Sequence, residues 1–368
     1  MKSCLPMFRL FTVCLLLAPL SARAQETLPQ DRTAAVIFAY QMVGEDQSPA
    51  MNIRIEQFQS HIRELLDGGY RVAPLPEIIE ALKNGASVPP HTVVLTFDGG
   101  HKSVLKNAVP LLLANNLPFT LFVSTDYLDR ESDEYIGWAD LKKLARNRQV
   151  TIGLHPAAYT HMGGSTPEEI KRQINNARAR MRDMLGEESA LFAYPFGEYN
   201  TAFRDIVAAS GFSAAFGQQS GVAYAGEDIF SLPRFTMTES FGDLDRFHLT
   251  ASALPLPVTD AQPRDPRLDN RNPVIGFTVD KALQGALKNM SCFASGQEEK
   301  PHMELVGGGR VELRLKDAFE EDRARLNCTL PGPPGEADDL PRWRWFGMLM
   351  TVPAGSEPPK QPESPENQ

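Results

Sequence analysis

Between Ala34 and about residue 250 the chain repeats one pattern, a short apolar run followed by an amphipathic helical stretch. The apolar runs are AAVIFAY (34–40), TVVLTFD (92–98), FTLFVST (119–125), VTIGLH (150–155), ALFAYPF (190–196), SAAFGQ (213–218) and a last short run around FSLPRFTM (230–237). Between them lie helical patterns such as IEQFQSHIRELLDGG, WADLKKLARN and PEEIKRQINNARARMRDMLG. Several end on Gly or Asn, as helix C-termini do, and Thr166 before Pro167, with two glutamates next, is a helix start. Strand–helix alternation of this length predicts an α/β fold with a parallel sheet, closed into a barrel or doubly wound. In either arrangement ligands bind at the C-terminal ends of the strands, which selects Tyr40, Asp98, Asp126, His155 and the turn Pro195 to Glu198.

The flanking regions differ. Residues 1–24 have a basic start, an almost wholly apolar stretch and Ala22-Arg23-Ala24 before the expected cut, which is the pattern of a signal peptide. The chain is therefore expected to be exported, to periplasm or beyond. Cleavage after Ala24 leaves 34 basic against 46 acidic residues, a net charge of −12. So acidic a chain is a poor partner for nucleic acid, and no later apolar run is long enough to span a bilayer. Only Cys292 and Cys328 remain, a candidate disulfide in an exported protein. Barrel residues are expected over 25–252 and a proline-rich linker over 253–273. A small all-β module follows over 274–354, then a polar, disordered tail over 355–368.

Three strand ends supply polar groups: Asp98 in TFDGG, His155 and His161 in LHPAAYTH, and the Phe196–Glu198 turn in YPFGEYN. Two histidines and a carboxylate are the usual ligand set for a hydrolytic Zn, Co or Fe ion, which lowers the pKa of bound water and polarises a carbonyl. A free carboxylate would take the water's proton, and backbone N–H groups after Pro195 would stabilise the oxyanion.

In this order, TFD-x-G, the histidine pair and Y-P-F-G-E resemble the polysaccharide deacetylase (NodB homology) family, carbohydrate esterase family 4, over about residues 34 to 240. The resemblance implies a distorted (β/α)7 barrel of NodB type and metal-dependent removal of acetyl groups from an N- or O-acetylated polysaccharide. YPFGEYN is similar to the branch that contains poly-N-acetylglucosamine deacetylases. By residue order Asp98 matches the general base and His155 and His161 match the metal ligands; Phe196 in the oxyanion turn is a further catalytic candidate, and so is Arg234, which reads either as a site residue orienting Asp98 or as half of a structural ion pair.

The sequence departs from the family pattern in four places. Gly99 stands where TFDDG has its metal-ligand Asp, Tyr159 occupies the strict second-histidine position, and Gln41 replaces a histidine. For the late Leu-x-His motif only His248 is a candidate. His101, Asp126 and Glu198 are further residues from which a repaired site could draw. The competing expectation is a catalytically degenerate barrel that binds polysaccharide without turnover.

Overall fold

The computed structural model describes residues 27–130, 132–334 and 341–352. The expected leader and the tail lie outside the described residues.

Among the described residues the barrel sheet has nine strands, of which seven close it: β1 (Ala34–Tyr40), β2 (Thr92–Asp98), β3 (Phe119–Val123), β4 (Val150–Leu154), β5 (Leu191–Ala193), β6 (Ala214–Phe216) and β7 (Phe235–Thr236); the short strands Arg71–Val72 and Ala223–Tyr224 pair with β2 and β1. β1 to β6 pair in chain order, each parallel to the next, and β7 pairs parallel to the free side of β1. Every residue of β2 is buried, as expected of a parallel strand covered on both faces, and this is why its sequence runs apolar without alternation. The sheet curls until residues 229–237 bridge its two edges. Leu232 joins β6 at Phe216, and Phe235 then joins β1 at Phe38.

The connecting helices are α1 (Ile55–Asp67), α2 (Leu75–Lys83), α3 (Val109–Ala114), α4 (Trp138–Ala145), α5 (Pro167–Leu185), α6 (Thr201–Ala209) and α7 (Leu244–Ala251). α5 begins as its sequence predicts: the Thr166 side chain accepts the Glu169 N–H, and Gly186 ends the helix at φ +80°. Trp138, readable from sequence as core aromatic or sugar platform, is core, with Nε1 donating to Asp129 at 2.7 Å.

The C-terminal module is two four-stranded sheets packed on one apolar core. Its strands are β8 (Leu254–Pro255), β9 (Val258–Gln262), β10 (Ile275–Val279), β11 (Ser291–Ala294), β12 (His302–Val306), β13 (Arg310–Arg314), β14 (Arg323–Pro334) and β15 (Pro341–Thr351). The Cys292–Cys328 disulfide is present and joins directly opposed residues of β11 and β14.

The linker expectation for 253–273 is corrected. β8 pairs with β15 and β9 with β10, and both lie on sheet edges. Proline lacks an N–H but an edge strand needs no second row of bonds, so a proline-rich stretch can still carry short strands there. The start of the chain also joins the module. Leu28 packs in its core, and Asp31 holds the buried Arg344 through two contacts at 2.6 and 2.7 Å. Trp345 bridges the two bodies, packed edge-on to Phe235 of β7 with ring centroids 5.2 Å apart.

Candidate active site at the barrel mouth

Asp98 ends β2 and is 1% exposed. Arg234, one residue before β7, meets it with a planar fork, Nη1 to Oδ1 at 2.7 Å and Nη2 to Oδ2 at 2.8 Å. The guanidinium is held in turn by the Gly217 carbonyl at 2.9 Å and the Thr96 hydroxyl at 3.0 Å. Gln218, just beyond β6, donates Nε2 to Oδ2 at 3.1 Å. Burial alone would raise the Asp98 pKa; the charge of Arg234, then His155, then the hydrogen bonds, bring it below the ordinary carboxylate value.

His155 follows β4 and is fully buried. Its Nδ1–H donates to the Ala193 carbonyl at 2.7 Å, which leaves the lone pair on Nε2. Nε2 has no hydrogen-bond partner and lies 4.0 Å from Asp98 Oδ1. Burial pushes the His155 pKa down to about 4, against the opposing pull of Asp98, so the imidazole is neutral at pH 7. Two acceptors thus face each other across a gap that a water about 2.8 Å from each would bridge by donating one hydrogen to each.

The second histidine lies elsewhere. His161 is 70% exposed, stacks on Phe196 with centroids 4.2 Å apart, and bonds Glu198 through Nδ1 at 2.7 Å. Between the two histidines stand the Tyr159 and Phe196 rings: His155 to Tyr159 is 4.8 Å, and Tyr159 to Phe196 is 4.7 Å. The five intervening residues carry His161 out past this ring pair, so the two imidazoles do not share a face.

His101 is buried against Tyr135. A Cβ built on Gly99 would come within 3.1 Å of its ring, so the imidazole occupies the space where a side chain at position 99 would start. Burial lowers the His101 pKa to about 4. Asp126 is half-buried in a single helical turn, Thr125–Leu128, with its N–H donating to the Ala157 carbonyl at 2.9 Å. His248 sits on α7, exposed, and pairs with Glu64 at 3.0 Å and Tyr70 at 3.4 Å. Tyr70 in turn touches His91, which precedes β2, so His248 belongs to the opposite end of the barrel from Asp98.

A divalent metal is not accommodated by this set. Asp98 spends its oxygens on Arg234 and Gln218, Gly99 offers nothing, and His161 faces solvent. Among the described residues no three His, Cys, Asp or Glu side chains come together as a metal site. His155 Nε2 is the one expected ligand atom left inward and unpaired.

The oxyanion expectation also changes. Phe196 adopts φ +56°, a left-handed conformation that turns the Pro195 corner sharply. Its N–H donates to the Tyr159 hydroxyl at 3.3 Å, while the N–H groups of Gly197 and Glu198 close turns onto Tyr194 and Pro195. All three donors are therefore used within the protein.

Sequence reasoning missed the groups that complete the mouth. Gln218 closes the run SAAFGQ and was open to the same strand-end rule that selected Asp98. Arg323 and Arg325 were not, because they come from β14 of the other module. Arg323 donates Nη2 to the Phe196 carbonyl at 2.6 Å and to Gln218 Oε1 at 3.2 Å, and Arg325 donates Nη1 to the Gln218 carbonyl at 2.7 Å.

A curled parallel sheet with its polar residues at the strand ends and an Asp–Arg pair inside defines a NodB-type barrel. Residues 85–215, within the barrel, match the polysaccharide deacetylase family model, and the barrel has the fold of solved polysaccharide deacetylases. The chain is 24% identical over 224 residues to poly-β-1,6-N-acetyl-D-glucosamine N-deacetylase of Escherichia coli (strain K12), covering 50% of this chain and 33% of that one. It is 20% identical over 194 residues to the enzyme of the same name from Staphylococcus aureus (strain MSSA476), covering 50% and 67%. The chain thus spans only a third of the E. coli relative's length, and 65% of a Bacillus subtilis relative's. Among solved structures, IcaB from Ammonifex degensii superposes with TM-score 0.55 at 22% identity, over 61% of this chain and 99% of that one. Streptococcus pyogenes deacetylase PplD, in complex with acetate, gives 0.55 at 18%, over 60% and 99%. These likenesses establish the fold.

Proposed function

We propose that the protein is a hydrolase of acetylated polysaccharide, removing N- or O-linked acetyl groups at the mouth of the barrel. The observation that carries this reading is the buried Asp98–Arg234 pair with the unpaired His155 Nε2 facing it. A neutral imidazole with its lone pair inward, fixed by the Ala193 carbonyl, can accept a proton from a bound water or hydroxyl. Asp98, held ionised by Arg234, stabilises the imidazolium that forms. The relatives named for poly-β-1,6-N-acetyl-D-glucosamine supply the first substrate to try. The reading assigns no step to a metal, because the residues around His155 do not make a ligand set.

A second reading, polysaccharide binding without turnover, is favoured by one observation: Gly99, Tyr159 and the outward His161 leave His155 alone of the expected ligands. Acetate release separates the two. Wild-type protein and Asp98→Asn are each incubated with acetylated oligosaccharides, with and without added zinc. Release by the wild type that Asp98→Asn abolishes supports hydrolysis; binding with no release in any condition supports the second reading. We further propose export; the Cys292–Cys328 bond supports an oxidising compartment. Among the described residues no helix is long and apolar enough to cross a membrane.

A further inference from the structure

Beside Asp98 the barrel and the β-module enclose a cavity of about 280 Å³, walled by Gln41, Phe196, Gln218 and Phe241 and by Arg323 and Arg325. Gln218 is the shared wall, touching Asp98 on one side and both arginines on the other. The charges here are unbalanced. Asp98 is taken up by Arg234, and among the described residues the carboxylate paired with these arginines is Glu198, 3.4 Å from Arg323 Nε, which also serves His161. The Arg323 Nε itself is buried without a hydrogen bond. Arg325 is half-buried, spends Nη1 on a carbonyl, and has no ion-pair partner among the described residues. Burial and the like charges of Arg323 and Arg246, against the opposing pull of Glu198, lower its pKa to about 9, so it still carries its charge at pH 7.

Two half-buried guanidinium groups that share one carboxylate, Glu198, with His161 leave positive charge in excess, which is costly unless a ligand supplies a counter-charge, and the planar fork of Arg325 matches a carboxylate. The concentration of positive charge is the more notable in a chain of net charge −9. We infer that the cavity lined by Arg323 and Arg325 is a subsite for a carboxylate-bearing sugar, so that the polysaccharide this barrel accepts contains uronic acid next to the acetylated residue. The inference rests on the proposed function and narrows its substrate class. It also assigns the β-module a part in recognition, since both arginines are its own.

The test uses the full chain and a panel of acetylated oligosaccharides in matched pairs. Each pair is a uronate-containing oligomer and the same oligomer with its carboxylates reduced to alcohols. A β-1,6-linked N-acetylglucosamine oligomer is the neutral reference. Binding is measured by titration calorimetry for the wild type, Arg325→Gln and Arg325→Lys, and acetate release is followed in parallel. The expected result is a preference of roughly tenfold or more for the uronate form of at least one pair, the order of one charge-assisted hydrogen bond. Arg325→Gln should erase that preference and Arg325→Lys should keep part of it. Equal binding of both forms, or a preference that Arg325→Gln leaves intact, overturns the inference while the proposed function stands. If no glycan of either kind binds or loses acetate, the proposed function fails and the subsite with it.

Discussion

Arg234 and Asp98 form a two-point ion pair inside the barrel, with side-chain exposures of 0% and 1%. Neither group could be buried charged without the other. Their attraction offsets a desolvation cost of several kcal/mol per ion, and the hydrogen bonds from Gln218, to Thr96 and to Gly217 use the remaining valences.

Removing one partner should therefore be far worse than removing both. Arg234→Met is expected to cost about 3–5 kcal/mol by leaving a buried carboxylate uncompensated, whereas Asp98→Leu with Arg234→Met should cost clearly less than the sum of the single changes. Urea denaturation of the four proteins closes the cycle, and additive losses would contradict the coupling.

Acid should destabilise the protein well before its carboxylates titrate. His61 lies fully buried, with Nδ1 accepting from the Tyr40 hydroxyl at 3.0 Å and Nε2–H donating to the Gly242 carbonyl at 2.9 Å. Burial lowers its pKa to about 4, as it does for His101. Because the unfolded chain binds these protons near pH 6.5 and the folded one does not, stability is full above pH 6.5 and falls as pH drops toward 4. His61 alone accounts for on the order of 3 kcal/mol. Thermal melts from pH 7.5 to 4 should show the decline, and His61→Gln should flatten it.

Restoring a carboxylate at position 99 should be unfavourable as the protein stands. Gly99 has φ +91°, and a Cβ there meets the His101 ring at 3.1 Å. Gly99→Asp is expected to lower stability by about 1–2 kcal/mol from the backbone conformation. Adding His101→Ala should remove the steric part of the loss. Melting temperatures of the single and double variants, with and without zinc, measure this, and a stabilised Gly99→Asp would show that the His101 ring yields.

Reducing the disulfide should weaken the β-module. Cys292 and Cys328 are 36 residues apart, so the cross-link restricts the unfolded chain by up to about 4 kcal/mol in the loop-entropy model. Denaturation with and without reductant gives the difference. Cys292→Ser with Cys328→Ser should match the reduced protein.

The barrel strands were legible because buried parallel strands are written as continuous apolar runs. Ala34–Tyr40 and Thr92–Asp98 coincide with their runs, whereas ALFAYPF shrinks to Leu191–Ala193 because Pro195 cannot continue a ladder. The stretch 253–273 was misread because proline suppresses the strand pattern even where an edge tolerates it. At the site, the strand-end rule selected Asp98 and His155, and Arg234 stood as either a group orienting Asp98 or a structural ion pair, its contact with Asp98 being visible only in the structure. His161 was misplaced, since residue spacing in a loop says nothing about which side of the Tyr159 and Phe196 rings the chain takes.

The amino-acid sequence alone determined the α/β barrel, the β-module and the disulfide pair, because periodicity and strand-end chemistry are local properties of the chain. Only the tertiary structure decided what surrounds Asp98. Pairing it with Arg234 and Gln218, turning His161 outward, and bringing Arg323 and Arg325 from β14 to the barrel mouth all depend on contacts between residues more than a hundred positions apart, or on the course of a loop. Such contacts follow from the packing of one module on the other, which leaves no period in the sequence.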